Sequence, residues 1–217
     1  MIINNNCQLI HIWFNELKKY TFPFNKFEIP LNGIYILFEK NELAHSTNRI
    51  VRIGSHTGKN QLRSRLFQHF LHENKDRSIF RKNVGRALLN KLKDPFLKDW
   101  EIDLTKREAK EKYYHLIDNN YKNEIEKKVT QYIQNNFSFV VFQVDEKDQR
   151  LELEAKIIST VSHCVECSFT KNWLGLHSPK EKIRNSGLWL INELYKTPLS
   201  DDDMQIIEKI IKKGYEK

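Results

Sequence analysis

The chain has 217 residues, of which 40% are hydrophobic and 29% charged, a balance that favours one globular domain with appendages over two full domains. Its formal net charge of +8 favours a polyanionic partner, although charge alone does not separate DNA from RNA or from an anionic membrane. The N-terminus has no basic segment followed by an apolar run, and no stretch approaches the roughly 20 apolar residues of a membrane span, so we expect neither a signal peptide nor a membrane protein.

Cysteine usage indicates a reducing compartment, and we expect the protein to be cytoplasmic. Three cysteines cannot form a fully paired set of disulfide bonds. Cys164 and Cys167 form a single C-x-x-C, with His163 beside it and His177 nearby, but a structural zinc site usually needs four ligands. Because a second cysteine pair is missing, we interpret Cys164 and Cys167 as two small buried residues at the end of a helix.

The first half of the chain predicts three helices and two strands. Apolar residues recur at helical spacing in the predicted helices, and β-branched and aromatic residues fill the predicted strands. The turn residues Pro30 and Gly33 mark the start of a new unit, and the polar segment 39–48 predicts a loop or hairpin connection. The predicted helices lie at residues 9–20, 61–72 and 81–92, and the predicted strands lie at residues 34–38 and 49–53.

The second half predicts one further strand among helices. Residues 137–144 are nearly continuous in aromatic and β-branched side chains, which is typical of a central buried strand. Residues 106–134 are dense in Lys, Glu and Tyr with apolar residues at helical intervals, which predicts more helix with a solvated face. The last three helices are predicted at residues 150–162, 180–195 and 201–213.

Five polar residues that could act together on a phosphodiester occur in a fixed order along these elements. The first strand opens with Gly33–Tyr35, and the second closes with Arg52–Gly54. Arg65 and His69 lie one turn apart on the next helix and therefore project to the same side. A later helix carries Glu154. The set provides a phenol, two guanidinium groups, an imidazole and a carboxylate.

This ordered set resembles the GIY-YIG nuclease superfamily over about residues 31–175, with a long insertion in the middle. The resemblance implies an α+β fold in which a small three-stranded sheet, mixed or antiparallel, is flanked by helices. We expect a nuclease domain at residues 31–175 with a helical insertion at about 86–136, between helical extensions at residues 1–30 and 176–217. The segment from Trp173 to Trp189 is similar to restriction-endonuclease-like and uncharacterised bacterial branches.

The resemblance implies a role for each residue of the set. Tyr35 takes the place of the first tyrosine, near the attacking water, and a phenol needs a nearby cation to act as a base near neutral pH. Arg52 stands where the family name has a second tyrosine, and it could hold the phenolate or contact phosphate. Arg65 would hold negative charge on phosphate oxygens, and His69 could orient water, accept a proton or donate to phosphate. Glu154 matches the carboxylate that binds Mg²⁺ or Mn²⁺.

Weaker candidates flank this set. Asn172 would correspond to an asparagine that often follows the glutamate helix, and Glu152 is the neighbouring alternative to Glu154. Six basic residues could contact the DNA backbone, and such contacts position a duplex without reading its sequence. They are Lys59, Arg63, Arg77, Arg81, Lys82 and Arg86. Each of these weaker candidates, like each of the five ordered residues above, could instead be an ordinary solvated or half-buried side chain.

The sequence thus predicts a metal-dependent endonuclease that hydrolyses double-stranded DNA, in a restriction or phage-defence role. A nucleic-acid-binding module on a catalytically inactive version of the fold stays open, because Arg52 replaces a tyrosine. A protein-interaction domain whose insertion is the working surface also stays open. Symmetric cuts in both strands would need two active sites, and a homodimer would supply them.

Overall fold

The computed structural model describes the backbone of residues 2–215 and the side chains of residues 5–213. In this part of the chain, four antiparallel strands form one sheet with helices on both faces, which confirms the predicted α+β class. The strands are β1 (Tyr20–Thr21), β2 (Ile34–Ala44), β3 (Thr47–Gly54) and β4 (Phe137–Phe142). Their order in the sheet is β1-β4-β2-β3, so β3 lies at an edge.

The sheet of the described region has one strand more than the three predicted. The additional strand, β1, is two residues long and pairs antiparallel with β4, with Tyr20 opposite Phe139. The two rings stack with their centroids 5.3 Å apart. A two-residue strand is too short to show an alternating pattern in the sequence. The preceding helix also ends before residue 20, at Glu16.

The hairpin formed by β2 and β3 is longer than predicted. Most of the segment 39–48, which we expected to be a loop or hairpin connection, is strand, because β2 extends to Ala44 and β3 begins at Thr47. His45 and Ser46 form the turn with φ values of 51° and 59°. Positive φ at both central residues is the requirement of the tight two-residue turn whose twist matches that of the strands.

Helices cover both faces of the sheet, and alternate residues of β2 point to opposite faces. The helices are α1 (Ile2–Glu16), α2 (Leu62–Phe70), α3 (Ile79–Lys91), α4 (Leu97–Glu101), α5 (Arg107–Tyr113), α6 (Asn119–Asn136), α7 (Lys147–His163), α8 (Glu181–Ser186) and α9 (Asp201–Tyr215). Ile34 and Ile36 pack in the core with α1, α7 and α9, whereas Tyr35 and Leu37 pack in the core with α2, α3 and α6. Among the described residues, no helix combines the length and the apolar character that crossing a membrane requires.

The chain after α8 departs from the predicted helix at residues 180–195. The helix stops at Gly187, whose φ of 69° gives the left-handed cap that glycine adopts without strain. The following segment is held by Trp189, whose indole N–H donates to the buried carboxylate of Glu39 at 2.9 Å. The indole of Trp173 donates to the same carboxylate oxygen at 2.8 Å. These bonds tie the segment to β2, and the Trp189 backbone N–H donates to the Val51 carbonyl of β3 at 2.8 Å.

Candidate active site

Tyr35 lies in β2, and its hydroxyl meets the imidazole of His69 on α2. The distance from Tyr35 Oη to His69 Nε2 is 2.8 Å, and the two residues are 1% and 0% exposed. Gly54 is the register partner of Tyr35 on β3. A Cβ atom at Gly54 would lie 2.2 Å from the phenol oxygen, so this position must be glycine for the tyrosine to fit.

The second nitrogen of His69 is also bonded, which fixes the ring. Nδ1 lies 2.8 Å from Oγ of Ser78, the residue that caps the N-terminus of α3 and accepts the Arg81 backbone N–H at 3.2 Å. Burial lowers the pKa of His69 well below its ordinary value, and the charges of Arg52, Arg65 and Arg81 act in the same direction. His69 is therefore neutral near pH 7, so one ring nitrogen donates a hydrogen bond and the other accepts one.

Arg52 places a cation beside the phenol oxygen. Its Nε donates to Tyr35 Oη over 3.4 Å, and its Nη1 donates to the Trp189 carbonyl over 2.6 Å. The guanidinium carbon lies 5.2 Å from the centre of the Phe80 ring. These contacts hold the side chain, which is 4% exposed, in one position.

Arg52 and Glu154 line the same cleft, which has a volume of about 590 Å³ and lies between α3, α7 and residues 189–193. The hydroxyl of Ser55, the first residue after β3, donates to Oε2 of the half-buried Glu154. Glu152, the alternative carboxylate, is exposed and pairs with Lys156 at 2.7 Å. The cleft therefore brings a cation and one oriented carboxylate to the same space.

The carboxylate of Glu154 fits a divalent ion of the magnesium type. Mg²⁺ is usually bound by one or two carboxylates, with substrate phosphates and water as the other ligands. Glu154 supplies one such carboxylate, and the Ser55 hydroxyl orients it as a supporting hydrogen bond orients a metal ligand. Most of the coordination would then come from the substrate and from water.

Of the six predicted catalytic residues, Arg52 and Glu154 line the cleft, Tyr35 and His69 lie behind Arg52, and Arg65 and Asn172 belong to neither group. Arg65 donates to Gln68 Oε1 and to the Arg77 carbonyl, both at 3.2 Å, and acts on His69 through its charge. Asn172 is exposed in the loop before Trp173. The geometry therefore brings together Tyr35, His69, Arg52 and Glu154, with the charge of Arg65 acting on His69 and the exposed Asn172 outside the cleft lining.

Three of the six predicted phosphate contacts are buried and bonded within the protein. Arg81 pairs with Glu126 at 2.7 Å, and Arg86 pairs with Glu101 at 2.6 Å. Lys82 donates to the Glu101 carbonyl at 2.8 Å, and burial lowers its pKa. Basic side chains in a protein interior need such partners. The expectation that these three bind DNA is corrected: they join α3 to α4 and α6.

The other three basic candidates lie at the surface around α2. Lys59 and Arg77 are exposed and flank the helix that carries His69. Arg63, on the helix itself, is half-buried and donates to the Ile29 carbonyl at 2.7 Å. The positive charges of these three residues form a basic surface next to the site.

Three residues of the site have no place in the sequence prediction. Ser55 directly follows Arg52–Gly54, and a polar residue at the end of a motif strand is a signal that could have been used. Ser78 precedes a helical pattern, as capping serines do. Trp189 acts through its backbone carbonyl, which no residue type reveals.

The fold and the site define an α+β domain of the nuclease type, with a buried tyrosine–histidine pair behind a cleft that carries an arginine and a carboxylate. A family model described as GIY-YIG domain matches residues 15–216. The chain therefore belongs to the GIY-YIG family, whose members are generally endonucleases that act on DNA and commonly use divalent metal ions. Neither a curated protein nor a solved structure matches the chain significantly.

Proposed function

We propose that the protein is a metal-dependent endonuclease that hydrolyses phosphodiester bonds of double-stranded DNA. One observation carries the proposal: the Tyr35 hydroxyl lies between His69 Nε2 and Arg52 Nε, and Arg52 shares a cleft with Glu154. A phenol between a neutral imidazole and a cation can exchange protons. The carboxylate at the other side of the cleft can hold a divalent ion.

In the proposed reaction, a proton passes from water to Tyr35 and from Tyr35 to His69. The neutral imidazole carries its proton on Nδ1, donates it to Ser78 Oγ, and leaves Nε2 to accept the phenol proton. As the attacking water gives a proton to the phenol oxygen, the phenol gives its own proton to Nε2. Arg52 stabilises negative charge that develops on the phenol oxygen. The substrate phosphate brings negative charge that offsets the positive charge gained by His69.

The cleft residues would hold the scissile phosphate. An ion bound at Glu154 would polarise the phosphate and stabilise the leaving oxygen. Ser55 keeps the carboxylate oriented, and the Arg52 guanidinium can donate to phosphate oxygens as its planar fork does elsewhere. The exposed Lys59 and Arg77 would contact the backbone on either side of the site.

The proposal also includes a biological role, an oligomeric state and a cellular location. A restriction or phage-defence role follows from the likeness of the segment from Trp173 to Trp189 to restriction-endonuclease-like branches. Cleavage of both strands would use a homodimer, since each chain carries one such site in the part described. A cytoplasmic location fits three unpaired thiols.

A nucleic-acid-binding module without cleavage is the second candidate, and the burial of Tyr35 favours it. Tyr35 is 1% exposed, and it is Arg52 that lines the cleft. Water would have to enter behind the Arg52 side chain before Tyr35 could deprotonate it. In a binding module, Tyr35 and His69 would serve only to hold Arg52 against a phosphate.

Plasmid cleavage separates the two candidates. Purified protein is incubated with supercoiled plasmid and Mg²⁺ or Mn²⁺, and wild type is compared with Tyr35→Phe and Glu154→Gln. We expect Tyr35→Phe to lower the cleavage rate by about 10²–10⁴-fold, as loss of a general base does. Glu154→Gln should lower it by at least about 10²-fold, because several kcal/mol of charge stabilisation depend on the ion.

The matched control is Glu152→Gln, which changes an exposed carboxylate of the same helix and should leave the rate unchanged. If wild type cleaves neither DNA nor RNA in either metal but binds DNA in a salt-sensitive way, the binding module replaces the nuclease. Equal rates for wild type and Glu154→Gln would remove the assigned role of that carboxylate.

A further inference from the structure

A second cluster of chemically active side chains lies where α1, the β2–β3 turn and the end of α7 meet. It contains Cys7 and His11 of α1, His45 of the turn, and Cys164 and Cys167 after α7. The candidate ligand atoms of Cys7, His11, His45 and Cys167 all lie within 4.8 Å of one another. All three cysteines are free and buried. None of the five residues lines the cleft, so the endonuclease proposal does not use them.

Three distances in the cluster are close to those between the ligands of a tetrahedral ion. Cys7 Sγ and Cys167 Sγ are 3.4 Å apart, and His45 Nε2 lies 3.4 Å from Cys164 Sγ and 3.5 Å from Cys167 Sγ. With Zn–S bonds of about 2.3 Å and Zn–N bonds of about 2.0–2.1 Å, a tetrahedron separates two sulfurs by about 3.8 Å and a sulfur from a nitrogen by about 3.5 Å. The Cys164 thiol also interacts with the other two thiols.

His45 is oriented as a zinc-bound histidine is. Its Nε2 faces the thiols, and its Nδ1 lies 3.4 Å from the Glu166 carboxylate. A ligating histidine usually donates its other N–H to a carboxylate or carbonyl, which fixes the tautomer. The backbone N–H of Glu166 in turn donates to the Cys164 sulfur, as a supporting group of a thiolate ligand would.

His11 belongs to the cluster, but both of its ring nitrogens are occupied by the backbone. Nδ1 lies 2.9 Å from the Cys7 carbonyl oxygen, and Nε2 accepts the Ile50 backbone N–H at 3.2 Å. A lone pair that accepts a hydrogen bond is not free to bind a metal. Cys164, at 3.4 Å from His45, is therefore the better fourth ligand.

We propose that Cys7, His45, Cys164 and Cys167 bind a structural zinc ion. Three thiolates and one imidazole complete a tetrahedron and leave no open position, which is the mark of a structural rather than a catalytic site. Binding would release the thiol protons of the cysteine ligands to solvent, and His45 would bind as a neutral imidazole. The ion would join three parts of the chain, because Cys7 and Cys167 are 160 residues apart and His45 and Cys164 are 119 apart.

These separations explain why the sequence did not reveal the site. The C-x-x-C supplies only half of the ligands, and the histidines near it in the sequence are not the ones near it in space. His163, next to Cys164, bonds instead to the Ser159 carbonyl at 2.9 Å. The missing ligands come from an N-terminal helix and from a hairpin turn.

Metal analysis of the full-length protein tests the proposal. The protein is produced in medium containing zinc, purified under reducing conditions, and analysed by inductively coupled plasma mass spectrometry. We expect about one zinc ion per chain in wild type. The ion should be lost in Cys164→Ser and Cys167→Ser and retained in His163→Gln, which alters the neighbouring histidine. Glu154→Gln should also retain zinc, which separates this site from the proposed catalytic ion.

Cobalt substitution in wild type avoids the risk that a ligand variant fails to fold. Co²⁺ bound by thiolates in a tetrahedron gives intense visible absorption, and we expect this spectrum together with a fall in melting temperature when a strong chelator is added. A wild-type protein without metal, or one with a disulfide between Cys7 and Cys167, would overturn the proposal. Full zinc content in Cys164→Ser would refute Cys164 as the fourth ligand and point to His11.

Discussion

His69 is the residue whose chemistry depends most on its surroundings. Its ring is fully buried, its two nitrogens are bonded to Tyr35 and Ser78, and three arginine charges lie close enough to disfavour its protonation. The neutral form is the one that can accept the Tyr35 proton. The same surroundings couple the protonation of this one residue to the stability of the whole fold.

Stability should therefore fall in acid partly because of His69. The pKa of His69 is about 6.5 in the unfolded chain and lower in the folded protein. Below about pH 6.5 the unfolded chain therefore binds more protons at His69 than the folded protein does. Titration of this residue should lower the free energy of unfolding by up to about 1.4 kcal/mol for each unit by which the pH falls. His69→Gln should show a shallower dependence between about pH 7 and pH 5 in urea unfolding. Parallel curves for the two proteins would contradict this account.

The sequence predicted secondary-structure elements correctly where their hydrophobic pattern was long. It missed features that depend on the backbone conformation of one or two residues. The central strand at residues 137–144 had a nearly continuous apolar run and the helix at 150–162 a strong helical period, and both are present as β4 and α7. The tight turn at His45 and Ser46 and the cap at Gly187 depend on single φ values. Only the tertiary structure shows whether a lysine or arginine on a helix is solvated or buried, so Arg81 could not be placed correctly from sequence.

The residues of the candidate site were also predictable from sequence only in part. The order of Tyr35, Arg52, His69 and Glu154 along the chain was visible, because a motif preserves order. Their supporting residues, such as Ser55, contribute through contacts made only after folding. The cysteine–histidine cluster is the extreme case, since its ligands come from three separate elements.

The packing of α3 against α6 depends on the buried pair Arg81–Glu126, and breaking it should be costly. Both side chains are almost fully buried, and Arg81 also donates to the carbonyl of His69 at 3.1 Å. Arg81→Ala would leave the Glu126 charge without its partner, which typically destabilises a protein by about 3–5 kcal/mol. Chemical denaturation measures this change. The control Arg107→Ala removes an exposed pair with Glu111 and should have little effect. Equal effects of the two variants would show that the buried pair does not anchor α6.

At the scale of the whole molecule, the two sites have their centres on opposite faces of the sheet but share α7. Tyr35 and His69 pack with α2 and α3 on one face, whereas the cysteine cluster lies in the core of the other face, and α7 carries Glu154 and ends beside that cluster. The net charge of +8 belongs to the chain as a whole, and burial of Arg81, Lys82 and Arg86 removes three of its cations from the surface near the site. The proposed DNA binding would therefore depend on fewer cations than the sequence suggested.

The exposed cations beside α2 should set the salt dependence of DNA binding. Each phosphate contact contributes about 0.9 to the slope of log K against log salt, so the double variant Lys59→Ala/Arg77→Ala should reduce the slope by about 1.8. The measurement is fluorescence anisotropy with a labelled duplex, in a Glu154→Gln background that prevents cleavage. The control Lys209→Ala/Lys213→Ala removes the same charge from exposed positions on α9, whose helix packs on the other face of the sheet. The same reduction in both double variants would mean that net charge, rather than a surface at α2, attracts the DNA.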